Sequence, residues 1–161
     1  MKENFELAEA VGVISEAVES GGRFAFYPRG TSMLPTIRPE RDMVSLVKVQ
    51  ILRAGDIILY KRKNGQFVLH RIVKISASGE LTLCGDNQRT FEKNVAREDV
   101  LFLAESYERN GKTVKRGSFL YVVHWKCARA IQLLSAVKRR VFSAFFRKTA
   151  EKKEKYFNIL Y

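Results

Sequence analysis

The sequence predicts a mainly β protein: a coiled antiparallel sheet or partial barrel, with a helix before it and a basic helical extension after it. Three observations carry that expectation. Short β-rich runs follow one another closely between residues 23 and 104, broken by turn residues and without an intervening helical pattern. Apolar residues recur at helical spacing only before and after that region. Charge divides the same way: residues 1–114 carry 17 Lys+Arg against 15 Asp+Glu, and residues 115–161 carry 12 against 2. The expected organisation is an amphipathic helix over 1–22, a β domain over 23–114 and a basic amphipathic extension over 115–161.

The elements follow in order. Leu7, Val11, Ile14 and Val18 alternate with Glu6, Glu9, Glu16 and Glu19, and Gly21-Gly22 supplies the stop, so a helix is expected from Phe5 to Ser20. Arg23 to Tyr27 alternates as a strand does. A turn-rich stretch, Pro28-Arg29-Gly30-Thr31-Ser32-Met33-Leu34-Pro35-Thr36, comes next, its prolines bracketing a compact loop. Further strands are expected over Met43–Val49, Asp56–Lys61, Gln66–Ile75, Leu81–Leu83 and Val100–Ala104. Lys63-Asn64-Gly65-Gln66 contains the Asn-Gly pair favoured by a tight hairpin. Phe119 to Phe146 has neither Pro nor Gly and reads as one or two amphipathic helices, with Val122, Trp125, Ala128, Leu133, Phe142, Phe145 and Phe146 among its apolar positions.

Composition excludes several classes. At 46% hydrophobic and 29% charged, the 161 residues can bury a core, which rules out wholesale disorder. Cys84 and Cys127 form no CxxC, and with His70 and His124 they are too few and too scattered for a metal cluster, so neither a disulfide scaffold nor a metal or other cofactor is expected. No apolar run reaches the ~18 residues of a membrane span, and Met1–Glu6 lacks the pattern of a signal peptide. The expectation is a whole, cytosolic chain.

Three residues stand out chemically. Ser32 lies in a Gly/Pro-bounded loop after a strand, where a hydroxyl can be exposed and backbone N–H groups can converge on one point, as a nucleophile and oxyanion hole require. An isolated serine there is more often just a loop residue. His70 shares a strand face with Val68 and Ile72, opposite Leu69, Arg71 and Val73; it reads as a core imidazole or as a base that is neutral near pH 7. Asp86, in Gly85-Asp86-Asn87, reads as a turn aspartate. Taken singly, each signal is weak.

Taken in order, Gly30-Thr31-Ser32-Met33-Leu34-Pro35-Thr36, Gly55-Asp56-Ile57-Ile58, His70-Arg71-Ile72-Val73 and Gly85-Asp86-Asn87 resemble the type I signal peptidase family and the wider group that includes LexA-type self-cleaving repressors. The resemblance covers about Arg23 to Ala104. It implies the β fold of signal peptidases and a catalytic Ser32. Most bacterial members carry a lysine where His70 stands, so the chain is similar to the endoplasmic-reticulum-type subgroup with a Ser-His pair. Two acids are candidates to orient His70. Glu92 stands where the family commonly has aspartate and is preferred, with Asp86 shaping the turn. Gly30 replaces a serine that often assists the oxyanion hole, leaving the Ser32 backbone N–H, aided by Thr31.

The resemblance thus implies a serine endopeptidase that cleaves signal, leader or propeptide segments after small residues. A degenerate peptide-binding module of the same fold and a self-cleaving-repressor-like regulator are the rivals. The basic extension suits an anionic membrane surface, giving a peripheral location; core packing is the plainer reading, and nucleic acid is not the expected partner.

Overall fold

The computed structural model describes residues 11–12, 14–16 and 18–134. Its centre is one open antiparallel sheet of eight strands: β1 (Phe24–Phe26), β2 (Val44–Lys48), β3 (Ile57–Lys61), β4 (Phe67–Ile75), β5 (Leu81–Cys84), β6 (Glu92–Val95), β7 (Val100–Arg109) and β8 (Lys112–Lys115). Strand order is β1-β2-β7-β3-β4-β5-β6, and β8 pairs with β7. A 3-10 turn, Arg97–Asp99, leads into β7. The sheet is not closed; β1 and β6 form the ends of its path.

Helix α1, within residues 11–19, sets Ile14 and Val18 into the core and stops where Gly21 takes φ 85°. Helix α2 spans residues 119–134. Residues 1–10 of the expected N-terminal helix and 135–161 of the expected basic extension lie outside the described residues.

Both faces of the central strands are covered, so β3 is buried at four consecutive positions, Ile57 to Tyr60. One core joins Ile57, Leu59 and Leu69 to Met33, Ile37 and the two helices through Ile14, Val18 and Tyr121. The other joins Ile58, Tyr60 and Ile72 to Leu81, Leu83 and Leu103. Period-two alternation along β4 therefore puts His70 toward the second core and Arg71 toward the first. Each is almost fully buried, at 0% and 1% exposure.

Three features depart from expectation. The β3–β4 turn is closed by Arg62 and Gln66, not by Lys63 and Gln66, with Gly65 at φ 85°. The type I′ turn that Asn-Gly favours would need positive φ at both Asn64 and Gly65; only the glycine adopts it, and the loop has one residue more. Two strands were not foreseen, β6 and β8. The latter is a hairpin partner of β7 through Asn110-Gly111, both at positive φ, with Arg109 opposite Lys112.

The buried face of α2 also differs from the apolar spacing read in sequence. Tyr121 and Ala128 are buried, and the Trp125 ring lies against Gly55, but Val122 and Leu133 face outward with Phe119, Leu120, Ile131 and Leu134. The helix is anchored at its start. Tyr121 Oη donates to Gly55 O at 3.0 Å, and Arg116 grips Asp56 through two bonds of 2.7 Å. No helix among the described residues is long and apolar enough to cross a membrane.

Candidate active site

Ser32 rides on a loop that the core holds from below. Met33 and Ile37 are buried at 3% and 1% exposure, the Ile37 N–H donates to Met33 O, and Gly30 takes φ 85° to turn the chain outward beforehand. At the loop's foot, Asp42 accepts bonds from Arg38 and Arg109. Thr31 is exposed, and its carbonyl accepts from Asn87 Nδ2 at 3.2 Å.

The Gly85-Asp86-Asn87 turn presses on this loop from the side. Asn87 N donates to Ser32 O at 2.7 Å. A Cβ at Gly85 would come within 2.6 Å of Ser32 O, and within 3.0 Å of both Ser32 Cβ and His70 Nε2. Ser32 Cβ and His70 Nε2 thus flank one point, each within van der Waals reach of it. Only glycine leaves the gap between them open.

His70 reaches that point from the middle of β4, opposite Ile58. Its Nδ1 lies 3.2 Å from Glu92 Oε1 and 3.4 Å from Tyr60 Oη. Its Nε2 is buried and has no hydrogen-bond partner among the described residues. Burial pushes the imidazole down to about 4; the Glu92 carboxylate opposes that shift and the Arg62 guanidinium adds to it. The ring is therefore neutral at pH 7. With Nδ1–H donated to Glu92, the lone pair is left on Nε2, on the side of Ser32.

Glu92 stands at the start of β6. Burial alone would raise its carboxyl, but hydrogen bonds from Arg62 and Tyr60 hold it below the ordinary glutamate value, so it is an anion. Arg62 grips both oxygens, with Nε at 2.9 Å from Oε2 and Nη2 on Oε1. The second acid has other partners. Asp86 accepts from Arg71 Nε and Nη2 at 2.8 and 2.7 Å and from the Thr36 hydroxyl; of the two candidates, Glu92 is the one in contact with His70.

A cavity of about 220 Å3 opens between the Ser32 loop and β4. Ser32, Met33, Phe67, Leu69, His70 and Gln88 are among its walls; Thr31 is not. Sequence reasoning missed Tyr60 and Arg62. The β3–β4 register puts Tyr60 opposite Val68, diagonal to His70 on the same face; a two-residue turn at Asn64-Gly65 would have shifted that register by one and hidden the pairing. The described residues bring no three metal-ligating side chains together.

The arrangement suits proton transfer: Ser32 Cβ lies beside an imidazole nitrogen that has no hydrogen-bond partner among the described residues, and a carboxylate lies on the other nitrogen. No protein-family model, curated protein or solved structure matches the chain.

Proposed function

We propose that the chain is a serine endopeptidase of the signal-peptidase type, in which Ser32 is the nucleophile, His70 the general base and Glu92 its orienting acid. The observation that carries this reading is the state of His70. Its Nε2 is buried, without a hydrogen-bond partner among the described residues, beside the same point as Ser32 Cβ, and its Nδ1 lies against Glu92.

His70 Nε2 takes the hydroxyl proton as Ser32 Oγ attacks the scissile carbonyl. Glu92 stabilises the imidazolium that forms. The Ser32 backbone N–H is the donor proposed for the oxyanion. The imidazolium returns its proton to the leaving amine, and water, deprotonated by His70, then hydrolyses the acyl-enzyme and frees Ser32. An extended peptide would run past β4 with a side chain in the cavity. That cavity measures about 220 Å3; the preference for a small residue such as alanine is what the resemblance to signal peptidases implies. Signal, leader and propeptide segments are the proposed substrates.

The outward face of α2 supports a second element of the proposal, attachment to an anionic membrane surface. Phe119, Ile131, Leu133 and Leu134 are more than half exposed on it, and the segment from 115 onward carries ten more cations than anions.

A fluorophosphonate probe tests the peptidase reading. Wild type is expected to be labelled at Ser32 and to cleave an alanine-containing leader peptide, and Ser32→Ala and His70→Ala are each expected to lose both. Equal labelling of wild type and Ser32→Ala overturns the assignment.

A further inference from the structure

The side chain of Gln132, in the last described turn of α2, lies where three backbone carbonyls converge. Its Nε2 is 2.9 Å from Gly85 O, 2.8 Å from Asp86 O and 2.9 Å from Gln88 O. An amide nitrogen has two hydrogens, so three acceptors at these distances share them. The orientation of the amide is fixed from its other end, where Oε1 accepts from Arg129 Nη1 at 2.7 Å. Arg129 in turn lies over the Phe91 ring, 5.3 Å from its centre and one residue before Glu92.

The carbonyls that Gln132 gathers belong to the turn that holds the nucleophile. Asn87, between Asp86 and Gln88, donates from its backbone to Ser32 O and from its side chain to Thr31 O. Gly85 packs against Ser32 and His70 Nε2. A hydrogen-bonded path therefore runs from α2 through residues 85–88 to the Ser32 loop, without passing through either core.

We propose that Gln132 is a positioning residue for Ser32: α2 fixes the shape of the 85–88 turn, and the turn fixes the distance of the serine from His70. The proposal rests on the peptidase reading for its effect on rate. Its effect on the turn stands apart from that reading. Gln132→Glu is the sharpest substitution. It keeps size and the acceptor for Arg129 but sets a carboxylate oxygen, in place of Nε2, against three carbonyls. Gln132→Ala removes the donors and retains a good helix former.

The experiment uses the full chain in three forms: wild type, Gln132→Glu and Gln132→Ala. Three readouts are the fluorophosphonate labelling rate, kcat and KM on a leader peptide, and site-resolved amide hydrogen exchange. Labelling and kcat are expected to fall by about tenfold to a hundredfold with a smaller change in KM, since Met33, Phe67 and Leu69 of the cavity wall lie outside the 85–88 turn that Gln132 holds. The Asn87 amide is expected to lose protection while amides of β3 and β7 keep theirs. Unchanged labelling in folded variants of a wild type that does label overturns the proposal. So does Asn87 protection that is unchanged, or that falls only in step with the whole sheet. If wild-type Ser32 is never labelled, the peptidase reading fails by itself, and exchange at Asn87 still decides whether Gln132 holds the turn.

Discussion

Gly85 stands so close to Ser32 that a methyl group on it would meet the serine's carbonyl oxygen at 2.6 Å. Its φ is not in the left-handed region, so the glycine is there for space and not for backbone freedom. Gly85→Ala tests this contact. The added carbon meets backbone, which cannot rotate aside, and the Ser32 loop must shift outward. A displacement of about 1 Å at a nucleophile costs on the order of a hundredfold in rate. The variant is expected to fold with the wild-type circular dichroism spectrum and to label at Ser32 about a hundredfold more slowly. Wild-type labelling would show that the loop tolerates the displacement.

The surroundings of His70 fix the pH dependence. A histidine held at about 4 is already neutral at pH 6, so kcat/KM is expected to be flat across neutrality and to fall only on the acid side, well below the ordinary limb at ~6.5. Glu92 acts against that depression. Glu92→Gln removes the negative charge, leaves Arg62 facing the ring, and is expected to move the limb further into acid while lowering the plateau. A limb at about 8.5 or above would make a lysine the base. Stability follows the same sign. Unfolded His70 binds a proton below ~6.5 and folded His70 only near 4, so the full contribution holds above ~6.5 and is lost as pH falls through 4.

Arg71 and Asp86 make a buried pair, with side chains 1% and 2% exposed and two bonds of 2.8 and 2.7 Å. The guanidinium also donates to Gly55 O and lies 5.2 Å from the centre of the Tyr121 ring. Asp86→Ala leaves this cation buried and unpaired, which costs about 3–5 kcal/mol. Arg23 and Glu105 are the contrast, with side chains 68% and 40% exposed, and Glu105→Gln is expected to change stability by less than about 1 kcal/mol. Urea unfolding of the two variants at pH 7 measures the difference. Equal effects would mean that water reaches Arg71.

What could be read in the sequence divides by range. Ser32 and His70 stand out because their neighbours are locally informative, a Gly/Pro-bounded loop and an alternating strand. Glu92 sits in a four-residue strand, Glu-Lys-Asn-Val, with no alternation and with Asn94 at φ 56°, so its strand was invisible although the residue itself drew notice. The β7–β8 hairpin left a plain mark in Asn110-Gly111, obscured by the polar residues on either side. Tyr60 depends on a register that one extra loop residue decides. Gln132 had no local signal for its contact with the turn: the three carbonyls it binds lie 44 to 47 residues away, and a glutamine between Ile131 and Leu133 resembles any polar position of a helix.

The outward face of α2 carries the remaining prediction. Phe119 is 85% exposed, Leu133 63% and Leu134 70%, alongside Ile131, and these residues take no part in the buried face of Tyr121 and Ala128. Placing a large apolar side chain in the acyl boundary is worth up to about 1.5–3 kcal/mol, and each nearby cation adds about 1 kcal/mol on an anionic leaflet. Full-length protein is expected to pellet with phosphatidylglycerol-containing vesicles, and less so as salt rises, because the charge is screened while apolar burial is not. Deleting α2 would remove Tyr121 and Gln132 with it, so the informative variant is Leu133→Asp with Leu134→Asp, both at exposed positions. It is expected to weaken binding by more than about tenfold at an unchanged melting temperature, since two buried leucines account for at least that factor. Pelleting that is absent on anionic vesicles, or indifferent to these substitutions, would take the membrane out of the account of α2.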